Sequence, residues 1–148
     1  MIRLQKDFSE FLKLLNLKQV KYLIVGGWAV GYYGHPRATG DIDIWVSTET
    51  ENALKLVEVF KEFGFDVTDL SVDLFIKENQ ITRIGVPPLR IEIFTSISGV
   101  NFEECYSKRK TEKIDDIEMN FIGLEDLKKN KAAAKRYRDL DDLERLQS

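Results

Sequence analysis

Asp41-Ile42-Asp43-Ile44-Trp45-Val46 alternates carboxylates with apolar side chains. On an extended strand, residues i and i+2 point to the same side. Asp41 and Asp43 therefore share a face, with Cα atoms about 6.6 Å apart, while Ile42 and Ile44 fill the other. Two carboxylates this close repel, and removing them from water unpaired is costly. A divalent cation resolves both problems, and hard oxygen ligands of this kind suit Mg²⁺ or Mn²⁺. For an Asp-x-Asp alone, an exposed edge strand with two solvated aspartates is the competing explanation. Glu92 shifts the balance. It lies in Arg90-Ile91-Glu92-Ile93-Phe94, flanked by apolar residues, and a charge at the middle of such a strand needs a partner. Placed beside the aspartate strand, it completes a three-carboxylate cluster able to hold two cations. Such a pair activates an attacking hydroxyl and stabilises a leaving pyrophosphate. A salt bridge from Glu92 to Arg90 or Lys77 at a sheet edge is the alternative.

These residues need a scaffold, and the hydrophobic pattern supplies one. Phe8, Phe11, Leu12 and Leu15 recur at i, i+3, i+4 and i+7, which predicts an amphipathic helix over residues 5–16. Tyr22-Leu23-Ile24-Val25 reads as a buried strand entering a tight turn at Gly26-Gly27. A short helix over residues 28–33 follows, closed by Gly34 and stopped by Pro36. Thr48 and Glu51 carry a capping-box signal for a helix to Phe63, with Leu54, Val57, Phe60 and Phe63 inward. Residues 65–67, 74–76 and 81–84 read as short strands, 86–88 as a loop, and 90–94 as a strand. A helix is expected over 102–110, a strand over 114–122, and a helix from Leu124 to the end, broken near Arg138-Asp139. Strands interleaved with helices predict an α/β (α+β) fold, with helices packed on a central sheet.

Composition narrows the classes. The chain has 148 residues, 43% of them hydrophobic and 32% charged, which suits a single ordered domain over residues 1–148. No repeat or linker interrupts it. No apolar run is long enough for a membrane span, and the first residues lack an apolar signal core, so a cytoplasmic protein is expected. The lone Cys105 allows no internal disulfide and no cysteine-based zinc cluster. A net charge of −3 gives no global pull toward nucleic acid or anionic lipid, so an anionic partner needs a local patch. One such patch is Lys128 to Arg138, with six cations in eleven residues. On a helix, Lys128, Lys131 and Lys135 share a face. A solvated face is the bland explanation of such a run.

The string Gly26-Gly27-Trp28-Ala29-Val30, then Gly34-His35-Pro36-Arg37-Ala38-Thr39-Gly40-Asp41-Ile42-Asp43-Ile44, resembles the signature of the DNA polymerase beta-type nucleotidyltransferase superfamily. Within it, the chain is similar to small bacterial minimal nucleotidyltransferases. These include toxins of abortive-infection and toxin–antitoxin systems, and the lincosamide and aminoglycoside nucleotidyltransferases. The shared pattern is a glycine pair, two aspartates one residue apart, and a third acid on a later strand. The resemblance implies a mixed central sheet with a C-terminal helical segment. It also implies transfer of a nucleoside monophosphate from a nucleoside triphosphate to a hydroxyl, with Mg²⁺ or Mn²⁺. Asp41, Asp43 and Glu92 would be the metal ligands and catalytic residues, Glu92 also being a candidate base. Many relatives have aspartate at the third position. Gly26 and Gly27 would let the backbone approach the triphosphate, with N–H groups of the following helix start facing it. Arg37 and Thr39 occupy places where the family often has an arginine and a small hydroxyl residue. Arg37 would contact phosphate or orient Asp41. Lys131 would bind triphosphate, with Arg136 and Asp139 in comparable places; Asp139, Asp141 and Asp142 would alternatively cap the last helix or pair with the basic turn. His35 reads as a surface residue, and Trp28 and Trp45 as core. A tRNA, protein or small-molecule acceptor, an antitoxin partner and a homodimer are all compatible with the resemblance. So is an antibiotic-modifying enzyme, although a chain this short leaves little room for a separate acceptor domain.

Overall fold

The computed structural model describes residues 6–34, 41–64, 69–86 and 89–147. The expected strand at 65–67, the prolines of the 86–88 loop, and His35, Arg37 and Thr39 lie outside these residues. Helix α1 (Lys6–Leu17) leads into β1 (Tyr22–Val25), α2 (Gly26–Tyr32), β2 (Asp41–Val46) and α3 (Thr50–Phe63). Then come α4 (Asp73–Ile76), β3 (Ile81–Val86), β4 (Leu89–Phe94) and α5 (Phe102–Ser107). The chain continues through β5 (Lys110–Ile114), β6 (Ile117–Phe121), α6 (Leu124–Ala134) and α7 (Tyr137–Gln147). The expected mixed α/β architecture is present: six strands form one sheet in the order β3-β4-β2-β1-β6-β5.

Register follows from which faces are apolar. Strand β1 runs antiparallel to β2, placing Val25 opposite Asp43. Strand β4 runs parallel to β2, placing Glu92 beside Asp43 and Arg90 beside Asp41. A one-residue slip would turn these charges into the core. Instead Ile42, Ile44, Ile91 and Ile93 are all at most 2% exposed, in one core with Phe11, Leu15, Leu56 and Phe60. Burying each such side chain contributes about 1.5–3 kcal/mol. The rings of Phe11, Phe60 and Phe75, from α1, α3 and α4, pack with centroids 5.4–5.7 Å apart.

Several local expectations need correction. The glycine pair forms the first turn of α2 rather than a turn ahead of it. Helix α3 starts at Thr50 with Glu49 as its cap residue and no side-chain cap bond, so the Thr48–Glu51 box does not form. Its buried stripe is Asn52, Ala53, Leu56, Val57, Val59 and Phe60, and Leu54 faces solvent at 53% exposure. Buried Asn52 earns its place by closing the Lys21 and Ser47 backbones: it accepts from Lys21 N at 2.7 Å and donates to Ser47 O at 3.0 Å. Residues 74–76 lie in α4, a single helical turn, because a short apolar run fits either period. Helix α5 ends at Ser107, before Lys110. The expected strand at 114–122 is the second arm of a hairpin, β5–β6, turning at Asp115 and Asp116, both at positive φ. The C-terminal helix breaks at Lys135, with φ of 59°, three residues earlier than expected. Among the described residues, no helix is long and apolar enough to cross a membrane.

Candidate active site

Asp43 occupies the centre of the site because β2 is flanked by β1 and β4. Gly26 follows directly on Val25, the residue paired with Asp43. Its φ is +66°, and a Cβ there would overlap Asp43 Oδ2. Glycine is therefore required twice over, for conformation and for clearance. A Gly26→Ala variant is expected to lose about 2 kcal/mol of stability. It should also displace the Asp43 carboxylate. Chemical denaturation and a divalent-cation titration read the two effects.

Asp41, Asp43 and Glu92 converge on one face, as the strand periods demand. Their electrostatics differ. Arg90, two residues before Glu92 and on the same face, grips Asp41 with two bonds, Nε to Oδ1 at 3.2 Å and Nη2 to Oδ2 at 3.1 Å. That bond holds the Asp41 carboxyl below its usual range. Arg83 of β3, the cross-strand neighbour of Glu92, approaches Glu92 Oε2 to 3.4 Å. So Glu92 pairs with Arg83, and neither Arg90 nor Lys77 takes that role. Burial, and then the hydrogen bond that its protonated form donates to neighbouring Asp41, push the Glu92 carboxyl up. Asp43 is pushed up to about 7, first by burial and then by the charges of Glu92 and Asp41. Lys131 and Arg136 oppose that rise from across the cavity.

The carboxylates form the floor of a cavity of about 540 Å³. Gly26 and Gly27 make one side of it, and Asn79, Ile81, Phe94 and Ser96 another. The corner between α6 and α7 closes it with Lys131, Arg136 and Arg138. Lys131 thus reaches the site, but its ammonium is enclosed. Nζ lies 3.1 Å from Asp139 Oδ1 and 3.2 Å from Asp142 Oδ2, and all three side chains are at most 4% exposed. The cation that projects is Arg136, 75% exposed and anchored by Nε to Asp139 Oδ2 at 2.6 Å. Asp139 and Asp142 therefore pair with the basic segment rather than capping α7.

Residues 4–148 match the family described as "Nucleotidyl transferase of unknown function (DUF2204)". The chain belongs to this nucleotidyltransferase family. No curated protein sequence matches it. A lincosamide antibiotic adenylyltransferase, solved with lincomycin bound, has a similar fold, with a TM-score of 0.61 at 17% identity. The alignment covers 98% of this chain and 97% of that one. ANT(2″)-Ia, in complex with adenylyl-2″-tobramycin, matches at 0.58 and 14% identity, over 93% and 83% of the two chains. An antigenic nucleotidyltransferase-like protein from Paracoccidioides brasiliensis matches at 0.57 and 18%, over 93% and 72%. At these identities the likeness is one of fold.

The sequence reading of this nucleotidyltransferase missed Arg83 and Arg138 as site residues. Arg83 becomes a neighbour of Glu92 only through β3–β4 register. Arg138 becomes a cavity residue only because Lys135 turns the chain. Arg90 was visible, since its spacing of two from Glu92 puts both on one face. Its preference for Asp41 depends on the parallel register that sets the two side by side.

Proposed function

We propose that the cavity transfers a nucleoside monophosphate from a nucleoside triphosphate to a hydroxyl acceptor and releases pyrophosphate. What carries this reading is the central place of Asp43, with Gly26 on one flank and Glu92 on the other. Asp41, Asp43 and Glu92 are the residues that would hold Mg²⁺ or Mn²⁺. The donor set fits: three hard oxygen ligands share a face, and Asp43 is half-buried without an ion-pair partner among the described residues. In the arrangement observed, no group of three or more acidic, histidine or cysteine side chains among the described residues is gathered closely enough to hold an ion. In this arrangement Arg90 pairs with Asp41 and Arg83 with Glu92. Both arginines are substantially exposed, so water partly screens each pair.

When bound, the metal supplies charge neutralisation of the phosphates and activation of the attacking oxygen. The residues of the chain do the rest. Gly26 and Gly27, without side chains, leave the triphosphate room beside Asp43. Arg136 projects a guanidinium toward the same space, suited to phosphate oxygens. The acceptor oxygen attacks the α-phosphorus, the bond to the pyrophosphate oxygen breaks, and Glu92 takes the hydroxyl proton. Positioning and fixed charge provide most of the rate.

A small-molecule acceptor is a second reading. The lincosamide enzyme aligns over 97% of its own length, so a short chain does not exclude a drug-sized acceptor. The test incubates the protein with each α-labelled nucleoside triphosphate, Mg²⁺ or Mn²⁺, and RNA, protein or small hydroxyl compounds. Label transfer that EDTA abolishes is the expected result. Should no acceptor take label, and Asp43→Asn bind nucleotide and cation as the parent does, the reading has no basis.

A further inference from the structure

The α6–α7 corner carries more exposed charge than the cavity uses. Tyr137 is 94% exposed, the most exposed large apolar side chain among the described residues. It stands between Arg136 and Arg138, both of which line the cavity. Lys135, just before them, holds the left-handed conformation at a helix end where glycine is the usual residue. A lysine there costs stability, and the turn it makes is what presents the following three side chains at the rim. Arg136 is paired with Asp139. Lys129, Lys135 and Arg138 are exposed and enter no ion pair or hydrogen bond of their side chains among the described residues. On a chain of net charge −3, this is a local concentration of free positive charge around a bare ring.

We infer that Tyr137, with Lys129, Lys135 and Arg138, docks a single-stranded nucleic acid whose terminal hydroxyl enters the cavity as the acceptor. This rests on the transferase reading given above. Three properties point to this occupant. Free cations beside the ring, Lys135 and Arg138, with Lys129 further back on α6, complement a phosphate backbone. An exposed ring among cations, rather than within an apolar patch, suits stacking on a base whose own edges stay solvated. The patch is also continuous with the cavity, so a bound strand delivers its end to the carboxylates. A protein partner would favour a broader apolar surround; among the described residues, Leu140, 45% exposed, is the exposed large apolar side chain one turn further along α7, and Ile81 lies across the cavity.

The experiment measures anisotropy of a short, mixed-sequence, fluorescein-labelled single-stranded RNA with the intact protein, without nucleoside triphosphate. Saturable binding is expected, with a log–log salt slope of about −2 from three neutralised phosphates. Tyr137→Ala should weaken binding about tenfold. The combined Lys129→Gln, Lys135→Gln, Arg138→Gln variant should flatten the slope. All four side chains are exposed, so these variants retain the fold. Binding that is absent at low salt, or indifferent to both changes, overturns the inference. So does sedimentation in which Tyr137→Ala converts a dimer to a monomer while RNA affinity is unchanged, because the face is then a contact between copies. RNA binding without nucleotidyl transfer would defeat only the transferase reading; transfer to small molecules without RNA binding would defeat only this one.

Discussion

Replacing Asp43 with asparagine is expected to remove nucleotidyl transfer by about 10³-fold or more while making the metal-free protein more stable. The two effects share one cause. Asp43 is half-buried between Glu92, Asp41 and Gly26, and its carboxyl is pushed up to about 7. Loss of this ligand costs about 4 kcal/mol of transition-state stabilisation, which is about 10³ in rate. In the metal-free protein the same negative charge opposes folding. The unfolded carboxyl titrates near 3.9 and the folded one at about 7, so the folded chain binds more protons between these values. The stability contributed by this residue therefore falls as pH rises from about 4 to about 7, and the full penalty, on the order of 2–4 kcal/mol, applies above that. Denaturant melts in EDTA at about pH 5 and about pH 8 should show Asp43→Asn gaining on the parent mainly at the higher pH. A variant less stable than the parent at both values would contradict the assignment of Asp43 as a charge-strained site residue. Pyrophosphate release reports the catalytic loss.

Lys131→Met should have the largest effect on stability. Its ammonium is the cation enclosed by Asp139 and Asp142. Burial pushes Asp139 up, and Arg136 and Lys131 together hold it below the ordinary carboxylate range. Removing the lysine takes away the ammonium that stands between Asp139 and Asp142 in a nearly dry space, while Arg136 still holds Asp139. Breaking a buried pair from one side costs about 3–5 kcal/mol. Because this cluster joins α6 to α7, the loss should appear first as fraying of the last two helices. Amide exchange over residues 124–147 and urea melts would measure it. Replacing Lys131, Asp139 and Asp142 together with apolar residues of similar size should recover part of the loss, since the buried carboxylates go with the ammonium. A mild effect of the single change, below about 1 kcal/mol, would mean that solvent reaches the ammonium.

The legible and illegible parts of this molecule divide along a physical line. Strand period alone placed Asp41 with Asp43, put Glu92 on the same face as Arg90, and turned the four isoleucines the other way. The helical stripe of α1 was likewise readable, because a side chain's direction follows from local backbone geometry. Where local pattern was ambiguous, reading failed: residues 74–76 carry too few side chains to distinguish a helical turn from a strand, and the left-handed turn at Lys135 uses a residue that rarely adopts it. Tertiary structure decided the rest. The register that sets Glu92 beside Asp43, the approach of Gly26, the pairing of Arg90 with Asp41 and the enclosure of Lys131 all join residues far apart in the chain. Such partners are selected by competition among long-range contacts over buried surface and charge, and no short window of sequence contains that competition.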